Sequence, residues 1–103
     1  MAEAIADVET KIKVNNSINP PLLYSIIYLN DEKTPSNFVA ETLIQIFNYT
    51  IDDAVELTEK IDLTGSGVAA SGLTKELATH LSSLVLIEAQ CNGYPLKVEV
   101  KES

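Results

Sequence analysis

The single histidine and single cysteine of this chain, His80 and Cys91, are the natural place to look for nucleophile-and-base chemistry. They stand eleven residues apart on a segment with helical periodicity, which separates them by roughly 16 Å at about 1.5 Å per residue. No proton passes between them within hydrogen-bond reach, so they do not form an activated nucleophile. His80 reads as a solvated or partly packed helix residue, and Cys91 as a small apolar filler. Gly65-Ser66-Gly67 lacks the Gly-Lys-Ser/Thr that completes a phosphate-binding loop and reads instead as a helix stop and turn. No segment supplies the alternating oxygen ligands, central Gly and late Glu of an EF-hand, and one His with one Cys cannot furnish a zinc site. The expectation is a non-enzyme with no catalytic residue, no cofactor and no bound metal.

What these polar residues can do is bind. Asn30, Asp31 and Glu32 follow an apolar run and precede a helix start, so they read either as a loop closed by a local Asx turn or as the rim of a ligand site. Ser36 and Val39 are three apart on the next helix, and Thr58, Ile61 and Asp62 are spaced i, i+3, i+4 on the one after it. Two such faces can form a cleft beside the loop. Asp62 also stands near a helix C-terminus, where a carboxylate meets the negative end of the dipole at a cost of about 0.3–1 kcal/mol when exposed. A cationic ligand would offset that cost; drift on a solvated surface is the alternative. Asp52, Glu56 and Glu59 form a further acidic stripe, which reads as the solvated face of an amphipathic helix.

The elements that must position these residues follow from periodicity and punctuation. Residues 1–19 mix small, charged and amide side chains without a long apolar stripe, and Asn19-Pro20-Pro21 blocks regular structure, so they read as a mobile arm. Leu22 to Leu29 has the length and composition of a mostly buried strand. Thr34-Pro35 predicts an N-cap and first helical residue, followed by a helix with Val39, Leu43, Ile46 and Phe47 on one face and its end near Asn48. Thr50-Ile51-Asp52-Asp53 opens a second helix with the stripe Ala54, Leu57, Ile61. Val68 to Leu73 is a short strand candidate interrupted by Gly72. Thr74 caps a third helix with Leu77, Leu81, Leu84, Val85 and Glu88 along one face, and Asn92-Gly93 ends it. Leu96, Val98 and Val100 alternate with charges in a final half-exposed strand. The expected fold is α+β: a three-stranded antiparallel sheet packed against three helices in the order β-α-α-β-α-β, with the arm ahead of it.

Composition narrows the partners. The chain has 103 residues, 46% of them hydrophobic and 21% charged, as expected of one globular domain. Fifteen acids against seven basic residues leave a formal charge of -8, and all seven are Lys. That balance opposes a phosphate backbone or an anionic membrane, and there is no Arg fork to read guanine. No nucleic acid and no membrane are expected. One cysteine makes no internal disulfide, and no apolar run approaches the roughly 18 residues of a membrane span, so the expected setting is cytoplasmic and the expected state monomeric.

From Pro20-Pro21 through the strand to Asn30-Asp31-Glu32-Lys33-Thr34-Pro35 and on to Phe38-Val39, the chain resembles the ClpS family, the small adaptors that deliver substrates to Clp proteases. The likeness resumes at Ala54, at residues 65–74 and at Gly93-Tyr94-Pro95-Leu96, and so covers about residues 20–101. It implies a ClpS-like adaptor domain over 20–103 behind an N-terminal extension over 1–19, the part that enters the Clp ATPase in the family. It also implies a non-enzymatic adaptor that binds proteins through a bulky N-terminal residue with a free α-amino group and presents them to a Clp-type AAA+ ATPase. Carried over residue by residue, Asn30 and Asp31 become amino-group and backbone contacts, Glu32 and Thr34 rim residues, and Val39, Ile61 and Leu96 pocket walls.

The chain departs from the family pattern at several of these positions. Asp62 replaces a histidine that contacts the α-amino group, and Ser36 and Thr58 replace pocket methionines, which implies a more polar and wider pocket with weaker apolar affinity. Glu76 matches an acidic position of the ATPase-docking surface, whereas Leu81 replaces a lysine there. The alternative these losses leave open is an interaction module or decoy that binds the Clp ATPase without reading N-termini.

Overall fold

A computed structural model describes residues 22–103. The residues expected to form the arm, 1–19, lie outside the described residues. The elements follow the expected order: β1 (Tyr24–Leu29), α1 (Ser36–Phe47), α2 (Ile51–Thr64), β2 (Ser66–Leu73), α3 (Lys75–Cys91) and β3 (Lys97–Glu102). The sheet is antiparallel with strand order β2-β1-β3.

β1 is the central strand, and its residues alternate as a strand with one covered face must. Ile26 and Tyr28 are fully buried with Leu43, Ala54, Ala78, Val85 and Ala89 in one core. The Tyr28 hydroxyl is satisfied inside it: it lies 2.8 Å from Thr42 Oγ1, which spends its own proton on the Val39 carbonyl at 2.8 Å, so the tyrosine is the donor. Burial pushes that phenol well above its ordinary value. The strand starts later than its composition predicts, because Leu22 and Leu23 remain 62% and 43% exposed and only from Tyr24 does pairing begin.

β2 is longer than expected and is not broken by Gly72. Its pairing with β1 shifts register between Tyr24 and Ile26 and again between Ile26 and Ile27, so the strand absorbs extra residues as bulges, with Gly72 at φ +70°. At its start, β2 crosses close over α2. A Cβ on Gly67 would stand 2.8 Å from Ile61 Cγ1 and 2.9 Å from Leu57 Cδ1, so the approach requires glycine.

The helix caps show which local signals survive folding. Thr50 Oγ1 accepts from the Asp53 N–H and Thr74 Oγ1 from the Leu77 N–H, as predicted. Thr34 does not cap α1. Its hydroxyl is turned back into the preceding loop, and the N-cap is Pro35, whose carbonyl accepts from Phe38 and Val39. The face of α2 that is buried runs through Ala54, Thr58 and Ile61, with Leu57 only half-buried; Thr58 is tolerated because its hydroxyl donates to the Ala54 carbonyl. On α3 the expected face is only in part the buried one, since Val85 is fully buried and Leu81 packs against the core but the other expected positions do not turn inward. Ala78, Ser82, Val85 and Ala89 pack inward, while Leu77, Leu84 and Glu88 are exposed and Leu81 is half-buried. Cys91 is exposed rather than a filler.

Candidate functional site

Three connections bring the candidate residues to one end of the sheet. The Asn30 N–H donates to the Gly65 carbonyl at 2.9 Å, tying the end of β1 to the turn after α2. Gly65 makes that turn in the left-handed region, φ +95°, with its N–H on Ile61. Phe38 and Tyr94 meet edge to face at 4.9 Å, which draws the α3–β3 connection, and Leu96 in it, against α1.

The result is a narrow cavity. Its walls are Val39 of α1, Thr58 and Ile61 of α2, and Leu96; Asn30, Asp31, Thr34 and Asp62 stand at its polar side. Tyr28 and Leu29, which the spacing did not single out, complete the lining. Of the other candidates, Ser36 lies outside this cavity but donates from Oγ to Asp62 Oδ2 at 3.0 Å, bridging α1 to α2. Glu32 is exposed and does not line the cavity. Glu76 sits in the first turn of α3, away from the lining.

Asp31 organises the rim. Its Oδ1 accepts from the N–H groups of Lys33 and Thr34, both at 2.8 Å, and its Oδ2 accepts from the Thr34 hydroxyl at 2.7 Å. This is the local turn that its position permits, and it is what pulls Thr34 away from capping duty. Partial burial pushes the Asp31 carboxyl up, but the Thr34 hydroxyl and the two backbone amides outweigh it and hold the carboxyl below the usual carboxylate range. Asp31 is therefore a fixed negative charge beside the cavity. Asp62 is exposed and bonded only through one oxygen to Ser36 among the described residues.

The cavity encloses only about 10 Å³, close to the least that holds one water. The wider pocket implied by Ser36 and Thr58 is thus not found between Val39, Ile61 and Leu96. Among the described residues, no group of three or more His, Cys, Asp or Glu side chains converges as a metal site, and no helix is long and apolar enough to cross a membrane.

The fold and site define a small α+β domain with a polar-rimmed apolar slot at one end of its sheet. Residues 19–99 match the family described as ATP-dependent Clp protease adaptor protein ClpS, and the chain belongs to that family. It is 32% identical to the ATP-dependent Clp protease adapter protein ClpS of Helicobacter hepaticus over 95% of this chain and 98% of that one. It is 34% identical to the protein of the same name from Clostridium acetobutylicum over 91% and 92%. The solved structure of Agrobacterium tumefaciens ClpS2 bound to L-phenylalaninamide shares the fold, with a TM-score of 0.78 and 24% identity over 82% of this chain and all of that one.

Proposed function

We propose that this protein is a non-enzymatic adaptor that holds the free N-terminus of a substrate protein and presents it to a Clp-type AAA+ ATPase. The observation that carries this reading is the gathering of Asn30 and Asp31, from the loop after β1, and Asp62 of α2 beside one slot walled by Val39, Ile61 and Leu96. A protonated α-amino group is a compact donor of three hydrogen bonds, and such a cation gains charge-assisted bonds from two carboxylates and the Asn30 side-chain carbonyl. Acetylation would remove the charge and two of those three donors. L-Phenylalaninamide, the ligand of the Agrobacterium relative, carries a free α-amino group and an amide where a peptide bond would follow, which is the chemistry proposed here. Residues 1–19 are proposed as the extension that engages the ATPase, with Glu76 on its docking surface, and the setting as cytoplasmic.

The test is titration of short peptides with varied bulky first residues, each with a free and an acetylated N-terminus. Binding tighter than about 1 mM that acetylation abolishes supports the reading. No binding, or binding indifferent to acetylation, overturns it.

A second reading is favoured by one observation, the smallness of the slot: an interaction module or decoy that binds the ATPase and no N-terminus. A pull-down with the ATPase separates the two, since a decoy is captured with no peptide bound and no peptide affinity of its own. Absence of ATPase contact overturns both.

A further inference from the structure

Thr58 is the polar exception among the apolar walls of the slot. It stands with Val39, Ile61 and Leu96 and is covered as deeply as they are, at 5% exposure. A hydroxyl so placed must be accounted for in both its capacities, one proton to give and lone pairs to receive. The proton is spent, since Thr58 Oγ1 donates to the Ala54 carbonyl at 2.7 Å, one turn back on α2. Among the described residues, no donor reaches the same oxygen.

The asymmetry extends around the slot. Of the other hydroxyls that line it, Tyr28 gives its proton to Thr42 at 2.8 Å and Thr34 gives its own to Asp31 at 2.7 Å. Asp31 and Asp62, when ionised, only accept. Asn30 brings the one side-chain amide of the lining, and it is exposed. A side chain held between Val39, Ile61 and Leu96 therefore meets apolar surface and, at Thr58, a buried oxygen that can receive a hydrogen bond but has none left to give.

We propose that Thr58 is a specificity-determining residue whose Oγ1 accepts a hydrogen bond from the O–H of an N-terminal tyrosine, so that the slot prefers Tyr to Phe. This inference rests on the N-terminus-binding reading and deepens it to a choice within the bulky first residues. Phenylalanine fills the same apolar surface but leaves the buried oxygen unpaired, and an unpaired buried acceptor is costly. Against a wall of hydrocarbon alone the order would be the reverse, because burying the tyrosine hydroxyl without a partner is unfavourable. The sign of the preference thus reports on Thr58. As it stands the slot encloses only about 10 Å³, so its walls must part for any bulky side chain. That opening is common to Tyr and Phe, which differ by one oxygen, and it cancels from the comparison.

The test titrates two peptides that differ only in a first residue of Tyr or Phe, each free and acetylated, against the full chain, Thr58→Val and Thr58→Ser. We expect the free Tyr-first peptide to bind roughly threefold to tenfold tighter than the Phe-first one, the scale of one neutral hydrogen bond. Thr58→Val, which keeps the shape and loses the oxygen, should abolish or reverse that preference while still binding the Phe-first peptide, which also shows that the variant is folded. Thr58→Ser should keep the preference for Tyr. If the Phe-first peptide binds the unaltered chain as tightly as the Tyr-first one, the assignment of Thr58 falls and the N-terminus reading stands. A preference for Tyr that survives in Thr58→Val also overturns it, as does an equal loss of both peptides in Thr58→Val and Thr58→Ser. If neither free peptide binds, or acetylation changes nothing, the N-terminus reading fails and takes this inference with it.

Discussion

The position of Asp31 in the sequence leaves two readings open, a local turn and the rim of a ligand site; the turn is formed, and the proposed rim uses the same side chain. Its oxygens close the loop from β1 to α1 through Lys33 and Thr34, and the same carboxylate stands at the polar side of the slot. The pattern Asn-Asp-Glu-x-Thr-Pro makes a turn legible, but not which partner wins the Thr34 hydroxyl. A charged acceptor three residues back outcompetes the capping geometry, because bonds to a carboxylate are stronger than those to a neutral oxygen. The stability consequence has a sign. Since the folded carboxyl is held below its ordinary value, its contribution is fully present above about pH 4 and is lost as the pH falls through the folded value. Asp31→Asn should therefore lower stability by about 1 kcal/mol at neutral pH, given that the loop is half-exposed. In urea titrations from pH 7 to pH 3, the gap between the two proteins should close at the acid end. A gap that stays constant down to pH 3 would mean that the charge on Asp31 contributes nothing.

At the scale of elements, the helices were legible wherever a cap and a stripe agreed, as in α2, and misread where the most hydrophobic stripe was not the buried one. α3 is the instructive case. Its leucines have helical spacing, yet the face that meets β1 and β3 is Ala78, Ser82, Val85 and Ala89. Periodicity reports that a helix is amphipathic. It does not report which stripe the sheet covers, and here three of the four buried positions carry small side chains while Leu77 and Leu84 are exposed. β2 was underread for a related reason: bulges break the two-residue alternation that marks a strand, although pairing continues through them. The α3 packing predicts an inversion of the usual order of damage. Enlarging a fully buried alanine, Ala78→Leu, should destabilise by about 1–3 kcal/mol through overpacking. Leu77→Ala, at a position already 44% exposed, should cost under about 1 kcal/mol. Thermal or denaturant unfolding of the two variants decides it, and a larger loss from Leu77→Ala would place the leucine face in the core after all.

For the whole molecule, the count of acids argues against anionic partners without saying where the charge would be used. The fold gathers part of it: Asp31 of the β1–α1 loop and Asp62 of α2 stand beside one slot, with the Asn30–Gly65 bond among the contacts that bring them to one end. That convergence is tertiary and has no signature in spacing along the chain. Charge also sharpens the role of residues 1–19. They hold three acids and two lysines, so removing them changes the net charge by only one. Every buried residue of the described core lies in 25–96. A chain beginning at residue 20 should therefore unfold within about 0.5 kcal/mol of the full chain and titrate with the same N-terminal peptides at unchanged affinity. If 1–19 is the extension that engages the ATPase, the same truncation should abolish degradation of a substrate bearing an N-terminal signal by the Clp ATPase and protease, and simple loss of electrostatic attraction could not explain it. Measured together, the three readouts separate the possible failures. Lost stability would place core contacts in residues 1–19, lost peptide affinity would place part of the site there, and undiminished degradation would remove the segment from delivery altogether.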